Sequence, residues 1–265
     1  VTSIKEQQNR KIYKYLISGK NMGNAIAKPK FEEVVAVTTM NLPDVGLKFN
    51  AQRVGPMNFA GLRTADYGPD FRMPTMPELV PLVYASLENK DYETAKKVIK
   101  TLRENWLTGN TAFHYFPIGM FAEDSPKMKS GRIVLPNQKT LEKRLGSHEE
   151  KGVVFSDDRS LRFVPYGFKM ESQTALNLST NPGVIALAGS EQNAEMLAKA
   201  SQNYRENPHF WALSSVKTPQ TRVAGLGSDV FGDRLVVGAD GSENYDYRFS
   251  FGVLNDTNGV APKNK

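Results

Sequence analysis

Apolar residues recur along this chain with two periods, and the switches between them mark out its elements. Leu79, Leu82, Val83 and Leu87 keep a helical spacing, and Thr75-x-x-Glu78 just ahead of them has the form of a capping box. The pattern predicts a helix over 75–88, with Pro81 tolerated near its first turns. Asn89 to Asp91 interrupts it. Tyr92, Ala95, Val98, Ile99, Leu102 and Trp106 then follow at three- and four-residue steps, predicting a second helix over 91–107 capped by Asp91, with Trp106 in the core. Ser190 caps a third over Glu191 to Tyr204, which Asn207-Pro208 ends. Ser3-x-x-Glu6 opens a weaker stripe of Ile4, Ile12, Tyr15 and Leu16. A helix so thinly apolar is expected to dock on the body or on another copy of the chain.

Elsewhere the period falls to two. Strands are predicted at Phe31–Thr39, Leu47–Ala51, Ala112–Phe116, Arg132–Pro136 and Phe210–Leu213. Gly152–Phe155 and Leu161–Val164 flank a five-residue hairpin loop, Ser156 to Ser160, and Lys139–Leu145 reads as a short helix. Near the C-terminus, Arg222–Ala224, Arg234–Val237 and Phe249–Leu254 alternate with Gly- and Asp-rich turns, as short strands of a curled sheet do. Long helices beside many short strands imply an α+β fold, helices packed on a small, mostly antiparallel sheet.

The turns between the last strands hold the side chains that read as binding residues: Asp229, Phe231, Asp233, Arg234, Asn244, Tyr245, Asp246 and Tyr247, with Arg248 beside them. Tyr and Phe offer contact area at low entropic cost, and Asn and Asp adapt their hydrogen bonds. The competing reading is an edge hairpin whose polar residues face water.

Composition narrows the chemistry. Of 265 residues, 40% are apolar and 23% charged, which is ordinary globular protein. The absence of cysteine excludes disulfides, thiolate nucleophiles and cysteine-ligated metals. His114, His148 and His209 stand 34 and 61 residues apart, without metal-ligand spacing. Ser156-Asp157-Asp158 and Asp240 to Asn244 carry oxygens that could suit calcium, but neither has EF-hand spacing. Carboxylate catalysis around Asp157, Asp158 and Glu171 lacks an identifiable base or nucleophile. No catalytic residue, metal or cofactor is therefore assigned. No run of 18 apolar residues and no signal-peptide core is visible, so neither a span nor a cleaved leader is predicted, and the compartment stays open.

Charge is unevenly placed. Residues 1–30 carry seven Lys and Arg against Glu6 alone, a net +6 that accounts for the whole chain's +6. Such an arm can meet an acidic partner, but with aromatics limited to Tyr13 and Tyr15 it is read as a solvated helix face rather than a nucleic-acid site. Residues 222–254 hold three Arg against five acidic residues, a net −2.

A family resemblance adds to this. Arg222-Val223 with Leu226-Gly227-Ser228, then Asp233 to Asp240 (DRLVVGAD), then Phe249 to Leu254 (FSFGVL), is similar to the C-terminal frame of C-type-lectin-fold proteins of the formylglycine-generating-enzyme type. Upstream, Phe71 to Leu79 (FRMPTMPEL) resembles that family's entry to its first helix. The two motifs cover under a fifth of the chain, and some 140 residues, 80–221, lie between them. Asp229 and Val253 stand where the frame has Trp and a second Arg. The resemblance implies a C-type-lectin-like domain over 31–265, with an insert about 109–205 after a basic helix and linker over 1–30. Without cysteine the formylglycine-generating chemistry cannot follow. Lacking also the calcium triplets of sugar-binding lectins, the chain resembles the variable proteins of diversity-generating retroelements, with the variable region about 222–254. That implies a non-enzymatic binder of a protein or glycan ligand, using the eight residues named above. The alternative is a viral or surface assembly protein with this sheet as plain framework.

Overall fold

The computed structural model describes residues 39–229 and 232–255. The helix and linker expected over 1–30, all but the last residue of the strand expected over 31–39, and Phe231 lie outside them. Strands β1 (Thr39–Leu42) and β2 (Leu47–Met57) are followed by helices α1 (Phe59–Thr64), α2 (Met76–Glu88) and α3 (Glu93–Glu104). Next come β3 (Trp106–Leu107), β4 (Thr111–Phe116), β5 (Gly119–Asp124), β6 (Met128–Lys129), β7 (Arg132–Ile133) and the short helix α4 (Gln138–Glu142). Strands β8 (His148–Glu150), β9 (Val153–Phe155), β10 (Leu161–Pro165) and β11 (Glu171–Ser172) lead to helices α5 (Ala175–Ser179), α6 (Pro182–Ala188) and α7 (Glu191–Ser201). The chain closes with β12 (His209–Trp211), β13 (Gln220–Ser228), β14 (Leu235–Gly241) and β15 (Arg248–Asn255).

The capping box starts α2 as the spacing predicts. The Thr75 N–H and hydroxyl both donate to the Glu78 carboxylate, at 2.7 and 3.0 Å. Arg72 grips the same carboxylate with two N–H groups, at 2.9 and 2.6 Å. The Met76 N–H, one of the helix's orphan donors, is taken by the Thr111 hydroxyl of β4 at 2.9 Å, which locks the helix start to the sheet. Pro81 lies inside α2, so the Pro77 carbonyl one turn back loses its helical donor. The Asn193 side chain of α7 donates to that carbonyl at 3.0 Å, repairing the ladder from a neighbouring helix.

Pairing is antiparallel except between β12 and β14 and between β3 and β15. From β1 the sheet runs through β2, β15, β3, β13, β4, β5, β10 and β9 to β8, with β14, β12 and β11 branching from β13. The C-terminal strands predicted from the sequence are β13, β14 and β15. Alternation along them sorts the faces. Ala224 and Leu226 of β13, Leu235, Val237 and Ala239 of β14, and Phe251 and Val253 of β15 all join the main core. There they meet Leu79, Leu82, Val83 and Leu87 of α2, Val98 and Leu102 of α3, and the buried faces of α6 and α7. All six residues of β4 are buried because both of its faces are covered. Phe113 and Tyr115 enter the main core, Ala112 a second cluster with Phe59 and Leu62, and Phe116 a third with Leu141. Helices α2 and α3 and β15 thus share one unit and one core.

Some local expectations shift. The cap of α3 is Tyr92 rather than Asp91, and Tyr92 itself is exposed because it precedes the buried stripe. The helix stops at Glu104, so Trp106 belongs to β3, half-buried and not in the core, since Asn105 turns extended and sends the chain back along the sheet. The strand expected at Arg132–Pro136 shortens to Arg132–Ile133. Among the described residues no helix is long and apolar enough to cross a membrane.

Two measurements follow. Phe251→Ala and Val237→Ala are expected to destabilise by about 2–5 kcal/mol each, and Asn244→Ala by under about 1, in urea unfolding. Equal losses would mean that the faces are wrongly assigned. Burial works to raise the Glu78 carboxyl, but the bonds from Arg72 and the Thr75 N–H, with the Arg72 charge, outweigh it and hold the group below 4.5. A carboxyl depressed by folding stabilises above its unfolded pKa and loses that contribution as pH falls through its folded value. Glu78→Gln should therefore cost about 1–2 kcal/mol at pH 7. Its gap to the parent should close as pH drops below about 4.

Candidate functional site

The face opposite the main core is shaped by three glycines. Gly225 and Gly238 stand opposite one another on β13 and β14, and Gly227 is two residues along. A Cβ built at any of the three would lie 3.1–3.3 Å from the Trp106 ring. The indole therefore packs on bare backbone, and it also lines a pocket. The Gly225-x-Gly227 spacing reads in the sequence as close backbone approach, but the sequence does not say what approaches.

Above Trp106 runs the connection 242–247 between β14 and β15, fastened at both ends. At its start, the Glu243 carboxylate accepts from the Ile133 N–H at 2.9 Å and the Glu243 carbonyl from the Phe59 N–H at 3.2 Å. At its end, Arg248 is 3% exposed and donates to the Thr108 hydroxyl at 3.1 Å and the Ser242 carbonyl at 2.9 Å. Burial pulls the Arg248 guanidinium down to about 10, with the Tyr245 and Asp240 charges working the other way. Arg248 is thus a fastening rather than a displayed side chain. Between the fastenings Asn244, Tyr245, Asp246 and Tyr247 all point to solvent. Tyr245 and Tyr247 are 45% and 64% exposed, their rings 5.8 Å apart, and Arg248 lies 5.6 Å from the Tyr245 ring centre. Two neighbouring exposed aromatics form the kind of patch that marks an interaction surface.

These tyrosines, Trp106 and Asp229 line a pocket of about 470 Å³, whose rim includes Arg103 and Glu104. Of the eight residues expected to bind, the pocket gathers Asp229, Tyr245 and Tyr247, while Asn244 and Asp246 flank it on the exposed loop. Asp233 and Arg234 are engaged elsewhere. The Asp229 carboxylate accepts from the Asp233 N–H at 2.9 Å and pairs with Arg234 at 3.1 Å, while Arg234 also pairs with Glu206. This web closes the β13–β14 turn, where Gly232 has a φ of 68°. Phe231 lies outside the described residues. Reading the sequence missed Arg103, Glu104, Asn105, Trp106 and Ser228 of the lining, and the helical spacing from Leu102 is what assigned Trp106 to the core instead.

The histidines do not converge. His114 is buried between Thr221 and Glu123, at 3.0 and 3.1 Å; His148 pairs with Glu150; His209 stacks on Trp211 at 4.3 Å. Asp158 of the Ser156–Ser160 loop accepts from Ser156 and Ser160, so its oxygens serve the turn. Among the described residues no group of three or more His, Cys, Asp or Glu is placed to hold a metal ion.

Comparison with known proteins bears on the architecture. No family model matches the sequence, and no curated protein matches it. A solved structure described as "Accommodation of massive sequence variation in Nanoarchaeota by the C-type lectin fold" superposes with a TM-score of 0.50 at 18% identity, over 76% of this chain and 96% of the other. The fold is a C-type lectin fold. In it, helices α2 and α3 share the main core with β15, and the 242–247 connection joins β14 to β15 beside Trp106.

Gly227→Val would drive a branched side chain into the indole. In a Trp211→Phe background, where Trp106 is the sole tryptophan, it should shift Trp106 emission to the red and cost about 1–3 kcal/mol. An unchanged spectrum would mean that the ring does not rest on the glycines.

Proposed function

We propose that this chain is a non-enzymatic ligand-binding protein that presents a diversifiable surface on its C-type lectin scaffold, as the variable proteins of diversity-generating retroelements do. The observation that carries this is the separation of fastening from display. Glu243 and Arg248 hold the 242–247 connection through buried and half-buried bonds, and the four side chains between them touch solvent. Such residues can change without disturbing the core, because what positions them is elsewhere. The C-type lectin fold of the Nanoarchaeota structure, described as accommodating massive sequence variation, supports the same reading for this scaffold.

Binding here is recognition without turnover. Tyr245 and Tyr247 supply area with only two side-chain torsions each, Trp106 gives a rigid floor, and Asn244 and Asp246 add hydrogen bonds at the rim. The ligand is a protein surface that inserts a side chain between the tyrosines and the indole, in a pocket large enough to hold one.

Replacing Asn244, Tyr245, Asp246 and Tyr247 together by Ser should leave the melting transition within a few degrees, at about 0.5 kcal/mol or less per site. Binding to a protein ligand selected by surface display should be lost. A folded quadruple variant that keeps its affinity would place recognition elsewhere. A near-repeat of the 3′ coding end, differing at adenines and beside a reverse transcriptase gene, would establish how the surface is varied.

A further inference from the structure

The pocket lined by Trp106, Tyr245 and Tyr247 has a charge pattern of its own. Asp229 and Arg103 line it too, but the chain already answers their charges. The Asp229 carboxylate pairs with Arg234 at 3.1 Å, and the Arg103 guanidinium stands 5.8 Å from the Tyr204 ring centre. Glu104 is the exception. It lines the same pocket, is exposed, and has no hydrogen bond or ion pair with any described residue. Glu104 also ends α3, and Asn105, the C-cap of that helix, is a further lining residue. The pocket therefore opens at the C-terminus of a twelve-residue helix, where the last carbonyls lack helical donors and gather negative charge.

The aromatic walls act in the same sense. Indole and phenol rings have electron-rich faces, and a cation within about 6 Å of one is attracted to it. The Tyr245 and Tyr247 rings, 5.8 Å apart and inclined at 51°, are both exposed, and so is Asp246 between them in the chain. An anion here would meet Glu104 and the helix end, and an aliphatic group would leave both unanswered. A guanidinium answers them all, because its plane stacks on rings and forks onto a carboxylate, and an ammonium does so as a point charge. On the protein-binding reading proposed above, we infer that the side chain entering this pocket is basic: an arginine or lysine of the protein ligand. Glu104 and Trp106 lie outside 244–247, so this preference outlasts changes there.

Titration of the full chain with Nα-acetyl-arginine methylamide and Nα-acetyl-lysine methylamide, followed by the Trp106 indole N–H signal in NMR, tests this. The Trp211→Phe background leaves that signal alone in the spectrum, and the citrulline and norleucine methylamides serve as neutral counterparts. The basic probes should shift the indole signal with a Kd of about 10 mM, about threefold or more tighter than their neutral counterparts. Added salt should narrow the gap. Glu104→Gln, at an exposed position, should weaken the basic probes about two- to threefold and leave the neutral ones unchanged. Glu142→Gln, an exposed carboxylate outside the lining, should change neither. Equal binding of basic and neutral probes, no shift by either basic probe, tighter binding of the glutamate methylamide, or no effect of Glu104→Gln would overturn the inference and leave the protein-binding reading standing. That reading fails separately, if the quadruple Ser variant of 244–247 keeps its protein ligand.

Discussion

Strand β13 is the constraint from which both sides of the molecule follow. Along one edge it pairs with β4 through Gln220–Val223 and with β3 at Leu226, and along the other with β14. Because side chains alternate, one stretch serves two purposes. Ala224 and Leu226 fill the core beneath α2 and α3, while Gly225 and Gly227 leave the other face bare for Trp106. The indole then sets the depth of the pocket. A side chain at either glycine would have to lift the ring or spread the strands. The shape of the exposed face is thus decided by backbone that also carries the core, and not by the loop residues that meet a ligand.

What was legible in the sequence followed from local chemistry. Thr75, Glu78 and the apolar stripe behind them announce α2, and the Gly-Asp turns announce β13, β14 and β15. Ser190 reads as a cap, and its hydroxyl does accept from the Asn193 N–H at 3.1 Å. The failures share one cause. Trp106 continues a three- and four-residue spacing from Leu102, yet Asn105 leaves the helix and pairing with β13 and β15 takes over. Tertiary pairing overrode periodicity there, and no local signal announces a two-residue strand. Asp233 and Arg234 resemble displayed residues in every local respect. Only the arrival of Glu206, 28 residues earlier in the chain, turns Arg234 inward to a clamp.

The two loops of the exposed face therefore differ in what they can tolerate. In the β13–β14 turn, Asp229 serves the backbone of Asp233 and the charge of Arg234 at once, so a change there breaks a bond that shapes the turn. In the 242–247 connection, the bonds that shape the loop belong to Ser242, Glu243 and Arg248. Arg248 is the costlier device. It is a buried cation with no carboxylate in hydrogen-bonding reach among the described residues, held by a hydroxyl and a carbonyl. What that cost supports is the geometry it enforces at the end of the connection.

That geometry bears on how a surface open to change could still bind tightly. A free loop would lose much of its contact energy to ordering on association. Here the ordering is done beforehand by two fastenings five residues apart, at the half-buried Glu243 and the buried Arg248, with the intervening backbone held between them. Aromatic residues gain most, since a ring with two torsions on a held backbone has little freedom left to lose. Trp106 lies outside the connection, packed on Gly225, Gly227 and Gly238, and under the proposed reading it would supply a constant surface against which changed side chains at 244–247 are matched. Under that reading, variation and stability would fall on different residues, which is the condition for changing several of the first without spending the second.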